Sequence, residues 1–160
     1  MGPMSKKLMV WVGSGLVVAI MAGATSYWAF HKIGPLVPQA LARRMDFAPY
    51  TPTALPKGYS VDRDSVKFED GYLHFSIDSP LGRLVVTQQK RPANFTLDGL
   101  SEQGMDEIQL LTVPAGAAAT AKLGDRISGF ILSESTLIGV SGPANLPREA
   151  MQSVLNALRS

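Results

Sequence analysis

The strongest constraint on this chain is a run of 23 residues without a charged side chain, from Leu8 to Phe30. As an α-helix this run would be about 35 Å long, enough to cross a hydrocarbon core of roughly 30 Å. A helix is required because every backbone N–H and C=O inside lipid needs a partner within the segment. Trp11 near one end, and Tyr27 and Trp28 near the other, match the aromatic belts of membrane interfaces. We therefore predict a transmembrane helix over residues 8–30.

Basic residues beside this run predict its orientation. Lys6 and Lys7 directly precede it on a very short tail, and three basic residues follow it. Basic residues next to a span favour the cytoplasmic side. Because the two lysines abut the span, we predict a cytoplasmic tail over residues 1–7 and an extracytoplasmic domain after the span. The predicted location is the cell membrane, with a single pass.

A cleavable secretory signal is the alternative interpretation of this end of the chain. The segment 1–7 is basic, and residues 22–24 (AGA) resemble a small-residue cleavage site. The apolar run continues beyond this site to Phe30, which is longer than the apolar core of a usual signal and favours an uncleaved anchor. Both interpretations place the rest of the chain outside the cytoplasm.

Small residues recur at every fourth position within the predicted span, at Gly15, Ala19 and Gly23. In a helix they would share one face, where small side chains allow a second helix to approach closely. This face is therefore a candidate packing surface for a partner span.

Residues 31–54 contain four prolines and are predicted to form a juxtamembrane stalk, with a short helix near residues 38–45. Lys32, Arg43 and Arg44 are candidate contacts for lipid headgroups, because anionic headgroups attract basic side chains near the membrane surface. A solvated spacer is the alternative interpretation of this segment.

From Leu55 onward, apolar residues alternate with polar ones, as in strands that have one buried face. The alternation is clearest at Leu73, Phe75 and Ile77. We predict strands over residues 66–68, 73–77, 84–87, 108–113, 127–132 and 137–140. A helix is predicted over residues 95–107, and residues 115–121 fit either a strand or a short helix.

The last predicted element is an amphipathic helix over residues 147–159. Pro147 suits a first helical turn, and Glu149 suits the positive end of the helix dipole. Six apolar residues then form one stripe, namely Leu146, Ala150, Met151, Val154, Leu155 and Leu158. We expect this stripe to cover one side of the predicted sheet.

Two short motifs within residues 50–160 resemble those of a known group of proteins. Leu55–Tyr59 (LPKGY) fits an "LPxGY" opening, and the strand ending Val86–Pro92 (VTQQKRP) follows a hairpin. The chain resembles uncharacterised bacterial membrane-anchored proteins, and more distantly domains of anti-sigma factors and lipoprotein-carrier-like folds. The resemblance implies an α+β fold in which residues 55–160 form a curved antiparallel sheet packed against a C-terminal helix. It supplies no catalytic residues.

The sequence contains no recognisable catalytic, cofactor-binding or metal-binding site. It has no cysteine, which excludes disulfides, thiol nucleophiles and zinc–thiolate sites. His31 and His74 are far apart, and a lone histidine on the polar face of a strand is usually structural. Residues 139–142 (GVSG) are one residue short of a nucleophile elbow. We therefore predict that the protein is not an enzyme and has no cofactor.

The charge distribution argues against nucleic acid as a partner. The chain has a net charge of +2, but from residue 55 onward it has ten basic and twelve acidic residues. A domain that binds nucleic acid presents a basic surface instead.

The favoured function is a membrane-anchored extracytoplasmic binding or interaction module of unknown ligand. The predicted partners are the lipid bilayer and another envelope or membrane protein. One alternative is a structural subunit of a cell-envelope assembly that docks through the Gly15, Ala19 and Gly23 face. Another is a carrier of a hydrophobic ligand, which would need a concave apolar sheet face left uncovered.

Overall fold

A computed structural model describes residues 35–160 of the chain. The predicted tail and span, the candidate packing face at Gly15, Ala19 and Gly23, and Lys32 all lie outside the described residues. From Pro35 onward, none of the helices has the length and apolar character needed to cross a bilayer. The compact unit formed by the described residues runs from Leu36 to Ser160.

Strands dominate this unit. Its elements in chain order are α1 (Gln39–Ala42), β1 (Thr51–Pro52), β2 (Ser60–Glu69), β3 (Tyr72–Ser79), β4 (Gly82–Lys90), a 3₁₀ helix (Asp98–Gln103), β5 (Asp106–Val113), β6 (Gly116–Leu123), β7 (Arg126–Leu132), β8 (Thr136–Ser141), α2 (Arg148–Ala157) and β9 (Leu158–Arg159).

Seven strands form one antiparallel sheet in the order β2-β3-β4-β8-β7-β6-β5. It consists of two meanders, β2–β4 and β5–β8, which are joined where β4 pairs with β8 and Val86 lies opposite Val140. The strands β2 and β5 are therefore the two edges of the sheet. A separate two-stranded sheet pairs β1 with β9.

The period-two pattern is confirmed by β3, in which Leu73, Phe75 and Ile77 are all buried. The turn before this strand contains Asp70 and Gly71, whose φ angles of 53° and 82° are both positive. Positive φ at both central residues is the requirement of a type I′ hairpin turn. The strands predicted over residues 66–68, 73–77 and 84–87 lie within β2, β3 and β4, which form an antiparallel three-strand meander.

The C-terminal helix α2 covers one face of the sheet, which we call the helix face. Met151, Val154 and Leu155 on α2 are fully buried. The sheet makes room for them at Gly129, where a Cβ atom would lie 2.9 Å from both Met151 Sδ and Leu155 Cδ2. The predicted α+β class, an antiparallel sheet with a C-terminal helix packed on it, is confirmed.

The connection from β4 to β5, residues 91–105, crosses the opposite face of the sheet, which we call the crossover face. It contains a 3₁₀ helix that ends at Gly104 with a φ of 77°, where the sequence predicted an α-helix over residues 95–107. Leu97 and Leu100 pack there against Ala119 of β6. Of residues 115–121, which fitted two interpretations, 116–121 belong to β6 and Ala115 lies in the turn before it; Ala118 and Ala119, on opposite faces of the strand, are both fully buried.

Residues 46–53, which we call the strap, lie against the folded domain. The Tyr50 N–H donates to Gln88 Oε1 at 2.8 Å, and Gln88 Nε2 donates to the Tyr50 carbonyl at 2.6 Å. Thr136 Oγ1 donates to the Ala48 carbonyl at 2.8 Å. These side chains provide hydrogen-bond partners for partly buried backbone groups of the strap.

The residues before the strap also belong to the domain. Val37 is buried beside Leu73, together with Phe47 of the strap. The short helix predicted near residues 38–45 is a single turn, α1. The folded unit thus begins at Leu36 rather than at residue 55, because the proline-rich segment packs on the sheet instead of standing away from it as a stalk.

Candidate functional site

The helix face of the sheet is occupied by the main hydrophobic core. Fifteen buried residues from the sheet, from α2 and from the loop and strand on either side of α2 form one cluster there. Leu36, Tyr50, Leu55 and Tyr59 pack against this cluster from the segment before β2. The concave apolar surface that a carrier would offer to a ligand is covered in this structure by α2 and the strap.

The crossover face is only partly covered. A shallow cleft of about 260 Å³ lies beside residues 91–105 and is lined by Val85, Met105 and Phe130 among others. Gly139, opposite Thr87, contributes no side chain to its floor. Val85 is 43% exposed although β4 is a central strand, so an apolar depression is open to solvent in the middle of this face.

The edge strand β2 has features that prevent it from pairing with a further strand. Five of its ten residues are charged. Its register with β3 shifts between Asp62 and Lys67, and Asp62 forms an ion pair with Arg83 at 3.3 Å. Bulges and charged side chains are the common means by which sheet edges avoid association.

The edge strand β5 has a different composition. Its charges are confined to its first two residues, Asp106 and Glu107, and the remaining six, Ile108–Val113 (IQLLTV), are uncharged. Leu110 is 56% exposed, the largest exposed fraction of any large hydrophobic residue in the described part of the chain. Within that part, β5 pairs with β6 alone, so its outer N–H and C=O groups are available to another strand.

A second cleft, of about 320 Å³, opens beside this edge. Its lining is mainly apolar and includes Leu97, Leu110, Ala117 and Leu132, with Asp98 also contributing. We call the outer edge of β5 from Ile108 to Val113, together with this cleft, the edge site. It combines unpaired backbone groups with an apolar depression.

The start of the edge is fixed by Glu107. Its φ is 49°, which is uncommon for a residue with a side chain, and the register with β6 shifts between Asp106 and Gln109. Arg148 Nη1 on α2 donates to the Glu107 carbonyl at 2.9 Å. The part of β5 with regular strand geometry, which could pair with a further strand, therefore begins after Glu107.

The electrostatics of the edge site are negative. The carboxylate of Glu107 lies 2.7 Å from Lys122 Nζ and 3.2 Å from Arg148 Nη2. The hydrogen bond from Lys122 is the main cause that lowers the pKa of the Glu107 carboxyl; desolvation opposes it, and the positive charges of Lys122 and Arg148 lower the pKa further. Asp98, Asp106 and Glu107 carry three negative charges against the two positive charges of Lys122 and Arg148, so these five side chains give the site a net charge of −1.

Two of the three predicted headgroup contacts are within the described residues. Arg43 and Arg44 directly follow α1, and both are exposed. The guanidinium carbon of Arg44 lies 6.0 Å from the centre of the Phe68 ring, at the limit of a cation–π contact. Arg44 is thus positioned by β2, and the contact of these arginines with lipid stays a prediction.

The described residues 35–160 do not bring together a cluster of potential metal ligands. No group of three or more potential metal ligands converges there. His74 Nδ1 lies 3.1 Å from Thr87 Oγ1, and the imidazole stacks on Tyr72 with 5.9 Å between ring centres. The position of His74 is accounted for by contacts within the sheet.

The edge site was not among the residues selected from the sequence. The available signal was the uncharged stretch IQLLTV, but such a stretch is equally typical of a buried strand. Comparisons with known protein families, with curated proteins and with solved structures find no match for this chain. The resemblance based on LPKGY stays a prediction, and we infer function from the geometry of the described residues.

Proposed function

We propose that this chain is a single-pass, membrane-anchored protein whose extracytoplasmic domain binds another envelope or membrane protein. The uncharged segment 8–30 would anchor it, with the N-terminus in the cytoplasm. The observation that supports an interaction module is the edge site, where an exposed, uncharged strand lies beside an apolar cleft. Unprotected edges promote association, so proteins rarely leave one open without a use for it.

The packing of the helix face favours interaction over transport of a ligand. A carrier of a hydrophobic ligand, which is one alternative, would require α2 or the strap to leave the helix face. A structural subunit of an envelope assembly is the other alternative, and it could use the same edge site together with the Gly15, Ala19 and Gly23 face.

Photocrosslinking in the native membrane tests the interaction. A photoreactive residue replaces Leu110 or, as the matched control, Leu81, whose side chain is 40% exposed in the turn between β3 and β4. We expect one defined protein to be captured from position 110 and not from position 81, and mass spectrometry after purification in mild detergent would identify it. Equal capture from both positions, or none from position 110, would contradict the proposal.

Carbonate extraction tests the anchor separately. We expect the full-length chain to stay with the membrane fraction after an alkaline carbonate wash, because a spanning helix is not released by disrupting charge contacts. Release of the chain into the soluble fraction would contradict membrane anchoring.

A further inference from the structure

We infer that the edge site binds its partner by strand addition, and that the partner segment is an extended peptide with apolar side chains at alternate positions and a lysine or arginine at an end. This inference rests on the proposed interaction function and adds the chemistry of the partner. It follows from the backbone, the cleft and the charge of the site, taken in turn.

The backbone of β5 has the regular geometry that pairing with a further strand requires. From Gln109 to Val113 its register with β6 is continuous, ending where Val113 lies opposite Gly116. A strand with regular pairing on its inner side presents alternating N–H and C=O groups on its outer side at the same spacing. An extended peptide can pair with these groups and gain affinity from main-chain hydrogen bonds.

The cleft determines which side chains the added strand should have. Leu110 lies opposite Ala119, which packs under the 91–105 connection, so Leu110 is on the crossover face. Alternate side chains of an added strand would lie on that same face, next to Leu110 and the apolar cleft. The volume of the cleft, about 320 Å³, suits one or two side chains better than a large ligand. Apolar residues at alternate positions are the matching pattern.

The charge of the site determines what should flank those residues. Asp98 lines the cleft, and Asp106 begins β5, while Lys122 and Arg148 are engaged by Glu107. Because the three carboxylates of Asp98, Asp106 and Glu107 outnumber these two cations, the site is negative overall, so a basic residue at an end of the added strand would be attracted and an acidic one repelled.

A second copy of this chain complements the site less well. Antiparallel pairing of two β5 strands would bring the sequence DEIQLLTV against itself, and that sequence has no basic residue. The carboxylates of Asp98 and Asp106 would then gain no opposite charge from the partner strand. Charge complementarity therefore favours a different protein.

The test uses the full chain in mild detergent and a fluorescent synthetic peptide of about eight residues, in which leucine and threonine alternate between terminal lysines. One control peptide has glutamates in place of the lysines. A second is N-methylated at alternate residues, so that it keeps its side chains but cannot form the ladder. By fluorescence anisotropy, we expect the lysine peptide to bind about tenfold more tightly than the glutamate peptide, and the N-methylated peptide not to bind.

Variants of the chain test whether the peptide binds at the edge site. Leu110→Lys should abolish binding of the lysine peptide, whereas Leu81→Lys, at an exposed leucine in the turn between β3 and β4, should leave it unchanged. Asp98→Asn combined with Asp106→Asn should remove the preference for lysine over glutamate and keep the strand pairing. Thermal unfolding of each variant checks that the domain is folded.

Equal binding of the lysine and glutamate peptides, binding of the N-methylated peptide, or unchanged binding to Leu110→Lys would each overturn the inference. Dimers of the full chain joined through Leu110→Cys would assign the edge to a second copy and also overturn it. The absence of native cysteine makes that crosslink specific. If peptide binding fails while photocrosslinking from position 110 captures one protein, the proposed function stands and strand addition does not.

Discussion

The two edge strands of the sheet have similar lengths and both contain a register shift, but their side chains differ. Charged residues are spread along β2, and its Val66 and Phe68 pack against Val37, which precedes the strap, and Phe47 of the strap. In β5 the charges stop at Glu107, and an exposed Leu110 stands beside a cleft. The comparison shows that side-chain composition, rather than position at an edge, distinguishes a protected strand from one available for binding.

The comparison assumes that both edges belong to one sheet that is stabilised by the packing of α2. Met151→Ala tests this assumption, and of the variants considered it should lower the free energy of unfolding the most. Met151 is fully buried against the sheet, so its truncation should lower the free energy of unfolding by about 2–5 kcal/mol. Asn156→Ala, at an exposed position of the same helix, should change it by less than about 0.5 kcal/mol. Denaturant titration of the full chain in detergent measures both. A loss below about 1 kcal/mol for Met151→Ala would show that α2 does not hold the sheet.

The strap is tested by Gln88→Leu, with the next largest expected effect. The substitution leaves the Tyr50 N–H and carbonyl without their partner, which should cost about 1–3 kcal/mol. The neighbouring Gln89→Leu, on the other face of β4, should cost much less. If the two variants were equally stable in denaturant titration, the strap would be a loosely attached stalk and the support of β2 by this segment would be in doubt.

The ion pairs of Glu107, at the acidic start of β5, should make a smaller contribution to stability, and this contribution depends on pH. The pKa of Glu107 is lowered from its usual value of 4.5 in the folded chain, so its ion pairs stabilise the fold above that pH. Their contribution is lost as the pH falls below 4.5 through the lowered pKa of the folded state. We expect amide exchange in β5 to accelerate as the pH falls below 4.5, after correction for intrinsic rates, and Glu107→Gln to weaken this dependence.

The control for that experiment is Glu102→Gln, which leaves the contacts of Glu107 with Lys122 and Arg148 in place. It should keep the pH dependence of the parent chain. If Glu107→Gln and Glu102→Gln gave the same pH profile, Glu107 would not anchor the start of the binding edge.

The smallest effect on stability is expected from Leu110→Lys. Because this side chain is mostly exposed, the free energy of unfolding should change by less than about 0.5 kcal/mol while peptide binding is lost. A loss above about 1.5 kcal/mol in denaturant titration would make Leu110 part of the core. The contrast between the two edges would then have no bearing on binding.

The sequence was sufficient to predict elements that depend on neighbouring residues. The alternation of Leu73, Phe75 and Ile77 predicted a strand, and the stripe from Leu146 to Leu158 predicted the helix that covers the sheet. That helix ends at Ala157, and Leu158 belongs to β9. Both patterns reflect the local repeat of the backbone against a single buried face.

The strap and the edge site could not be predicted in this way because they depend on distant residues. The partner of Tyr50 is 38 positions along the chain, and that of Thr53 is 104 positions along it. The prolines of this segment are equally compatible with a stalk. Likewise, Ile108–Val113 were predicted to form a strand, but only the pairing of β4 with β8 places that strand at an edge.

Amide hydrogen exchange of the full chain in detergent, with and without a saturating concentration of the lysine peptide, tests the central claim most directly. We predict that alternate amides between Ile108 and Val113 exchange more slowly when the peptide is bound, and that exchange in β2 is unchanged. Unchanged exchange throughout β5, or equal protection of β2, would contradict the claim that β5 is the binding edge of this protein.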